Sequence, residues 1–405
     1  MPIIVQKYGG TSVGDTEHVK KVARRLVAAQ SDGYQVVAVV SAMGDTTDKL
    51  LAMAHDISAE PPERELDMLL STGERVSVAL LAMAIHELGR TAISLSGNQA
   101  GIQTNTVHTK ARIIGIETRR LTEELDDGKI VLVAGFQGVS PEEDVTTLGR
   151  GGSDATAVAL AFFNDTATTE IYTDVDGVYT ADPRIVPDAR KIGAVSYGEM
   201  LEMAATGAEV LMLRSVEYAQ KYGVPLHVRS SFSEQPGTWV REEGENMEKA
   251  VVSAVTHTDD ESKLTLLRVP DRPGVAATVF GALADENVNV DMIIQNVSEQ
   301  GTTDISFTVN QPDLPAAQKA LDALSDELGV AYVIGEQMGK VSIVGAGMKS
   351  YPGVAAKMFR TLAEAGINIE MISTSSIKVS CVIERAQVAE AVRTLHAAFG
   401  LGQDA

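Results

Sequence analysis

The 405-residue sequence contains a single cysteine, Cys381, so no disulfide can form within the chain, which suits a reducing compartment. Cys381 stands in a strand-like run and reads as a small core residue. Aromatic residues make up only 4%, which argues against base stacking as a mode of recognition. Positive charge is also short: 34 Lys and Arg face 55 Asp and Glu, a net charge of −21. Such a chain repels nucleic acid and anionic membrane, although it can still bind phosphate where cations and N–H groups are concentrated. No apolar run is long enough to span a bilayer, and mean hydropathy is near zero. Met1–Val5 carries no secretion signal, so we expect a cytoplasmic protein. A chain of this length, 44% apolar, should form about two to three domains.

Glycine, by contrast, is concentrated at one place. Thr146-Thr147-Leu148-Gly149-Arg150-Gly151-Gly152-Ser153-Asp154 cannot be the interior of a helix or strand, because glycine costs backbone entropy in both. Ile130–Phe136 before it reads as a buried strand, and Ala155–Ala161 after it as a helix that Ser153 and Asp154 would cap. Strand, glycine turn and helix N-terminus together aim N–H groups at an anion. Arg150 adds a fork for a carboxylate or phosphate. A tight turn with a surface arginine is the plainer alternative.

The N-terminus repeats the grammar. A strand over Ile3–Tyr8 carries Lys7 and runs into Gly9-Gly10-Thr11-Ser12, a second anion cradle. Gln35–Val40 is a fully buried strand with the exit loop Ser41–Thr47, and strands of this kind alternating with helices indicate a parallel sheet covered on both faces. Within a helical span, Gly73 is costly unless something approaches it closely, which marks its neighbours Glu74 and Arg75. Thr91–Leu95 is another strand. The Thr173–Arg184 stretch supplies a strand end, an acidic turn and a loop that could frame a nucleotide, while Val175 and a missing distal glutamate break the calcium-loop pattern. Ser196–Glu217 reads as helical and Val224–Arg229 as a strand in which His227 is structural.

Residues 233–246 have the composition of a linker. Beyond it the chain repeats itself: Gly274–Ala284 matches Gly353–Ala363, and Asn289–Ile293 matches Asn368–Ile372. Two such β-α-β-β units should pack on one another or on a partner chain.

With these motifs assembled, the whole chain resembles the aspartate kinases. The resemblance rests on Lys7–Ser12, Thr147–Asp154, Thr173–Gly177 and the two Pro-Gly helix entries. It implies an α/β amino-acid-kinase fold over 1–245, a mostly parallel sheet sandwiched by helices. Two ferredoxin-like α+β ACT modules would follow over 263–335 and 340–405, with strand 250–255 contributing to the second. The substrate implied is L-aspartate, phosphorylated by ATP with Mg²⁺. Lys7, Gly9, Gly10 and Ser41 would hold phosphates, and Asp154 would set the lysine. Glu74 would take the substrate ammonium and Arg150 its α-carboxylate, with Thr47 and Ser153 nearby. Thr173, Asp174, Tyr179, Asp182 and Arg184 would frame ATP. A carboxylate acceptor is already ionised at neutral pH, so no general base is required. Effector amino acids, lysine and threonine, would bind at Gly274, Ala276, Asp291 and Gln295, completed by Asn368, Ile369 and Ser375. The family also implies a homo-oligomer, or an α2β2 assembly with a regulatory subunit started at Met247.

Two departures stand out. Ser376 replaces a glutamate of the family pattern, which bears on effector preference. Phe162–Thr169 replaces an alanine-rich helix end and an apolar strand start, and its threonines suit a surface turn better than a buried strand. Asn164–Thr173 is also one frame of a common DNA-sequencing adapter, and we read the segment as a local artefact of sequence assembly. Two other functions fit parts of the pattern: a kinase for glutamate, acetylglutamate or UMP, and a non-catalytic amino-acid sensor. The paired repeats with Glu74 and Arg150 disfavour the first. The presence of Lys7, Glu74, Arg150 and Asp154 together disfavours the second.

Overall fold

The computed structural model describes residues 1–164, 166, 168–242, 251–296 and 301–402. Met247 and most of the linker end lie outside them. The chain begins β1 (Ile3–Tyr8), α1 (Thr16–Ser31), β2 (Gln35–Val40), α2 (Thr46–Ile57), α3 (Glu63–Leu70), α4 (Thr72–Glu87), β3 (Ala92–Leu95). It continues β4 (Ile102–Thr104), β5 (Ile113–Ile116), α5 (Arg119–Asp126), β6 (Ile130–Ala134), β7 (Gln137–Val139), β8 (Val145–Thr147), α6 (Gly152–Phe163). Then come β9 (Thr169–Thr173), β10 (Ala194–Ser196), α7 (Tyr197–Ala205), α8 (Leu213–Tyr222), β11 (Leu226–Ser230) and β12 (Thr238–Arg241).

An eight-stranded sheet runs β10-β12-β11-β9-β1-β2-β6-β3, parallel throughout except where β11 meets β12. Its central strands are apolar on both faces, as a sheet covered by helices on both sides requires: Val36–Val40 and Ile130–Ala134 are all buried. One face packs on α1 and α4 through Leu26, Leu81 and Ile85. The other receives α6, whose residues from Gly152 to Ala161 are all buried, a helix without a polar face. Strand alternation then sorts β1: Gln6 and Tyr8 turn one way, and Lys7 turns toward α6. On the Gln6 side, Glu170 accepts hydrogen bonds from Gln6, Tyr172 and Arg229, so its buried charge is paired. A second sheet, β5-β4-β7-β8, was not anticipated from the sequence, since its strands are only three or four residues long.

Several expectations are corrected. Gly151, with φ 71°, is the cap residue of α6, and Ser153 and Asp154 lie inside its first turn. A side chain at Gly151 would also stand 2.2 Å from Met212, so no residue with a Cβ fits. The strand before the motif ends at Ala134, because Phe136 takes a left-handed φ of 68°. Ser196–Glu217 is not one helix: Ser196 ends β10, and the chain leaves helical geometry between α7 and α8, where Gly207 has φ 105°. Thr169 is not in a surface turn but opens β9 with no exposure, and its hydroxyl has no partner among the described residues. Asp165 and Ala167 of that segment lie outside the described residues. Glu63–Glu87 has the length and hydropathy of a membrane span, yet it breaks at Ser71 and buries Asp67 and Glu74.

The second compact unit comprises 251–402 together with Tyr179–Arg190 and Ala205–Ala208. Its elements are β13 (Ala254–Pro270), α9 (Val275–Asp285), β14 (Ile293–Gln295), β15 (Thr302–Asn310), α10 (Leu314–Leu328), β16 (Ala331–Val344), α11 (Val354–Glu364), β17 (Met371–Thr374), β18 (Lys378–Glu384) and α12 (Val388–Ala398). The two repeats join in one six-stranded sheet, β14-β15-β13-β16-β18-β17, through the long antiparallel pair β13–β16. Ala254–Thr258 pairs with the Lys340–Val344 end of β16, in the second repeat. Two cores follow, one under α9 and α10 around Leu266 and Phe307, the other under α11 and α12 around Ile343 and Leu395. Cys381 is fully buried in the latter, and burial pushes its thiol up to about 12.

Candidate active site

The loops leaving β1, β2 and β6 lie at the carboxyl ends of neighbouring parallel strands, where open α/β sheets bind ligands. After β1, Gly9 donates its N–H to Tyr172 O (3.3 Å), and Ser12 N donates to Gly9 O (3.0 Å). After β2, Ser41 N donates to Tyr8 O (3.0 Å), and Gly44 N reaches Gly10 O (3.0 Å). The two loops are therefore one hydrogen-bonded unit, with Thr47 in the first turn of α2.

Lys7 Nζ stands 2.6 Å from Asp154 Oδ1, with both side chains largely buried. The ammonium is thus tied from β1 to the first turn of α6, beside the glycine motif. Ser153, on that same turn, packs beside Gly135 at the end of β6.

Glu74 is 3% exposed and accepts one hydrogen bond, from Ala42 N to Oε1 (3.2 Å). Gly73 makes this approach possible, since a side chain there would stand 2.8 Å from Ala42 Cβ. That close contact is the reason a glycine is tolerated in the helix. Among the described residues Glu74 Oε2 has no partner, and burial pushes the carboxyl up to about 7 despite its own N–H and that of Ala42. A buried carboxyl with a free oxygen is a receptor for a cation.

Arg150 is exposed, on the turn between β8 and α6. Thr173 ends β9, and its hydroxyl donates to Asp174 Oδ1 (3.0 Å) in the turn that follows. Tyr179, Asp182 and Arg184 belong to the second unit, where Arg184 donates to both oxygens of Asp182 and holds its carboxyl below the usual range. Around them, Ala181 and Val186 enter the core beneath α11 and α12, and Thr180 hydrogen-bonds to His396.

Among the residues expected to bind effectors, Gly274 caps α9 with φ 98°, and Ala276 is in the first turn. Asp291 pairs with Lys340, Gln295 ends β14, and Asn368 donates to Glu370 (3.0 Å). Ile369 packs against the second repeat's core, and Ser375 N donates to Lys378 O. Met292 and Met371, matching positions of the two repeats, meet in one small buried cluster. That contact brings the Asp291 and Asn368 segments to a common place.

A cavity of about 840 Å³ is lined by Gln6, Lys21, Arg24, Arg25, Glu170 and Arg229. It opens on the face of β1 opposite Lys7, and Arg25 and Arg229 are already paired with Glu234 and Glu170. It therefore lies on the other side of β1 from the Lys7–Asp154 pair. Sequence reasoning missed Asp67 and Arg214, which hold the loops around the glycine motif. An acid amid the apolar residues of a helix was the available signal for Asp67.

Residues 2–230 match the Amino acid kinase family, and residues 263–326 and 341–399 each match the ACT domain. The chain is 55% identical over 410 residues to the aspartokinase of Mycolicibacterium smegmatis, covering 100% of this chain and 97% of that one. Against the aspartokinase of Corynebacterium glutamicum it is 52% identical over 408 residues, covering 99% and 97%. The structure of E. coli aspartokinase III in complex with aspartate and ADP aligns with TM-score 0.83 at 26% identity, over 98% of this chain and 99% of that one. With this identity sustained along its length and with this fold, the chain belongs to the aspartokinases of the amino acid kinase family.

Proposed function

We propose that the enzyme transfers the γ-phosphoryl group of ATP to the β-carboxylate of L-aspartate, giving 4-phospho-L-aspartate, the first step of lysine, threonine and methionine biosynthesis. The observation that carries this reading is Glu74, a buried carboxyl with an unpartnered oxygen. An α-ammonium group supplies the missing partner and keeps the carboxyl ionised. Arg150 then binds the α-carboxylate in two-point fashion, with Thr47 and Ser153 lining the substrate. A zwitterion held at both poles leaves its β-carboxylate as the free nucleophile.

Lys7, kept in place by Asp154, and the Gly9, Gly10 and Ser41 loops would receive the β- and γ-phosphates. Thr173, Asp174, Tyr179, Asp182 and Arg184 would frame the nucleotide. Mg²⁺ would enter with ATP and neutralise its phosphates beside the Gly9, Gly10 and Ser41 loops. Catalysis is then stabilisation of charge during an in-line transfer. That the E. coli relative was solved with aspartate and ADP supports this choice of ligands.

The ACT repeats are the proposed seat of feedback by lysine, threonine or both. The E. coli relative in complex with lysine and aspartate supports lysine. A route inward is available within the second unit, because the loop bearing Tyr179, Asp182 and Arg184 shares a core with α11 and α12. The enzyme would work in the cytoplasm as a homo-oligomer, or as an α2β2 assembly with a regulatory subunit begun at Met247.

An ATP-dependent hydroxamate assay with aspartate or glutamate as acceptor tests the reaction. Folded, magnesium-supplied enzyme that forms no product with aspartate removes the proposal. Thermal-shift titration with lysine and threonine, singly and together, tests the effectors, since a ligand of the folded state raises Tm.

A further inference from the structure

Asp67 touches none of the groups assigned to substrate or nucleotide, yet it is fully buried on α3 and satisfied by three donors. Thr147 Oγ1 donates to its Oδ1 (2.5 Å), His108 Nδ1 to its Oδ2 (2.7 Å), and Thr109 N to both (3.1 Å each). From α8, Arg214 grips the same region through two carbonyls, with Nη1 on Leu148 O and Nη2 on Ala111 O, each at 2.7 Å. Ala111 N closes the set on Thr147 O (2.9 Å). Thr147 and Leu148 are the residues that lead into Gly149 and Arg150. An acid on one side and a base on the other therefore fix the stem of the arginine turn.

We propose that Asp67 and Arg214 are positioning residues that set where Arg150 stands relative to Glu74. The proposal rests on the reading in which Glu74 and Arg150 hold the two poles of aspartate. Asp67 and Glu74 flank the Ser71 break, so one carboxylate links the arginine stem directly to the helices that carry the acidic pole. Gln137 Nε2 on Ser71 O (2.9 Å) braces that break. The need is geometric: a zwitterion spans a fixed distance, and a displacement of about 1 Å in its anchor costs about a hundredfold in rate. An exposed turn with glycines on both sides of Arg150 could not hold such a distance unaided. A neutral amide at position 67 would remove the charge these donors share and leave one acceptor oxygen where there were two, loosening the stem while preserving volume.

The test is a double-mutant cycle in steady-state kinetics on the full chain. Asp67→Asn should raise the aspartate KM about tenfold and change the ATP KM less than about twofold. Thr147→Val, which removes a single hydrogen bond, should act in the same direction and more weakly, and it serves if Asp67→Asn does not fold. In an Arg150→Ala background neither change should add to the aspartate KM, because the clamp acts only through Arg150. Equal effects on both substrates, or full additivity in that background, overturn the inference. If Arg150→Ala itself leaves the aspartate KM unchanged, the reading of Arg150 fails first and takes the inference with it.

Discussion

Lys263 and Lys340 occupy the same place in the two repeats, and each forms its ion pair with the carboxylate of the other repeat. Lys340 reaches Asp291, and Lys263 reaches Glu370 at 3.0 Å. Asp291 and Glu370 are themselves matching positions. The pairs cross between the repeats where β13 and β16 run side by side, so the internal duplication is written into the electrostatics as well as the fold. They differ in burial: Lys340 also contacts Glu261 at 2.6 Å, and the exposures of those two side chains are 4% and 1%.

Burial separates the two pairs in consequence. Lys340→Met should destabilise the protein by about 3–5 kcal/mol, because it leaves the Glu261 carboxylate buried without a counter-charge. Lys263→Met should cost less than about 1 kcal/mol, as partly solvated pairs do. Denaturant titration of both variants measures the difference, and equal losses would contradict it.

The Glu74 carboxyl, at about 7 when folded against 4.5 when free, gives a signed pH dependence. Between those values the folded state holds the extra proton, so this group's contribution to stability is largest at low pH. It falls as pH rises through the window, by on the order of 3 kcal/mol. Glu74→Gln should remove that fall, read as the difference between variant and wild-type stability across the window. Aspartate should bind more weakly below about pH 7, where its ammonium meets a protonated Glu74. A KM for aspartate that is flat across this range would contradict the assignment.

Arg150 and Lys7 should separate binding from chemistry. Arg150→Ala should mainly raise the aspartate KM, by about thirtyfold or more for a two-point ionic contact. Lys7→Ala should mainly lower kcat, by about 100- to 1000-fold, as loss of a charge that meets the transferring phosphoryl group does. The reverse pattern in initial-rate measurements would show the roles to be exchanged.

Thr169 carries a hydroxyl that is wholly buried between β1 and β11, without a partner among the described residues. Thr169→Val should stabilise the protein by about 1–2 kcal/mol, the cost of burying an unpaired hydroxyl. Phe162 and Phe163 at the end of α6 are exposed by 41% and 42%, although Phe162 stacks on Tyr222 at 4.3 Å. Resequencing genomic DNA across codons 158–175 should return apolar strand residues there, and recovering the same codons would refute the artefact reading.

What the sequence by itself determined is the local chemistry. Glycines soon after Lys7 and on both sides of Arg150, apolar strands alternating with helices, and an internal repeat are each legible in a short window, because backbone conformation and strand periodicity are local properties. Gly73 even announced the close approach that the structure shows with Ala42, although the helical span it was read in breaks at Ser71 and leaves it in the first turn of α4. Boundaries were less legible: Gly151 rather than Ser153 or Asp154 caps α6, since the left-handed turn and the Lys7 contact outweigh capping preference. Tertiary structure alone decided which distant residues meet. Asp67 with Thr147, Arg214 with Leu148, and Lys340 with Asp291 depend on the register of strands and the stacking of layers. The same holds for the Tyr179–Arg190 loop, whose Ala181 and Val186 packing places in the core of the second unit. The physical reason is that a buried charge or an apolar side chain is satisfied by whatever packing brings beside it, and packing is a property of the whole chain.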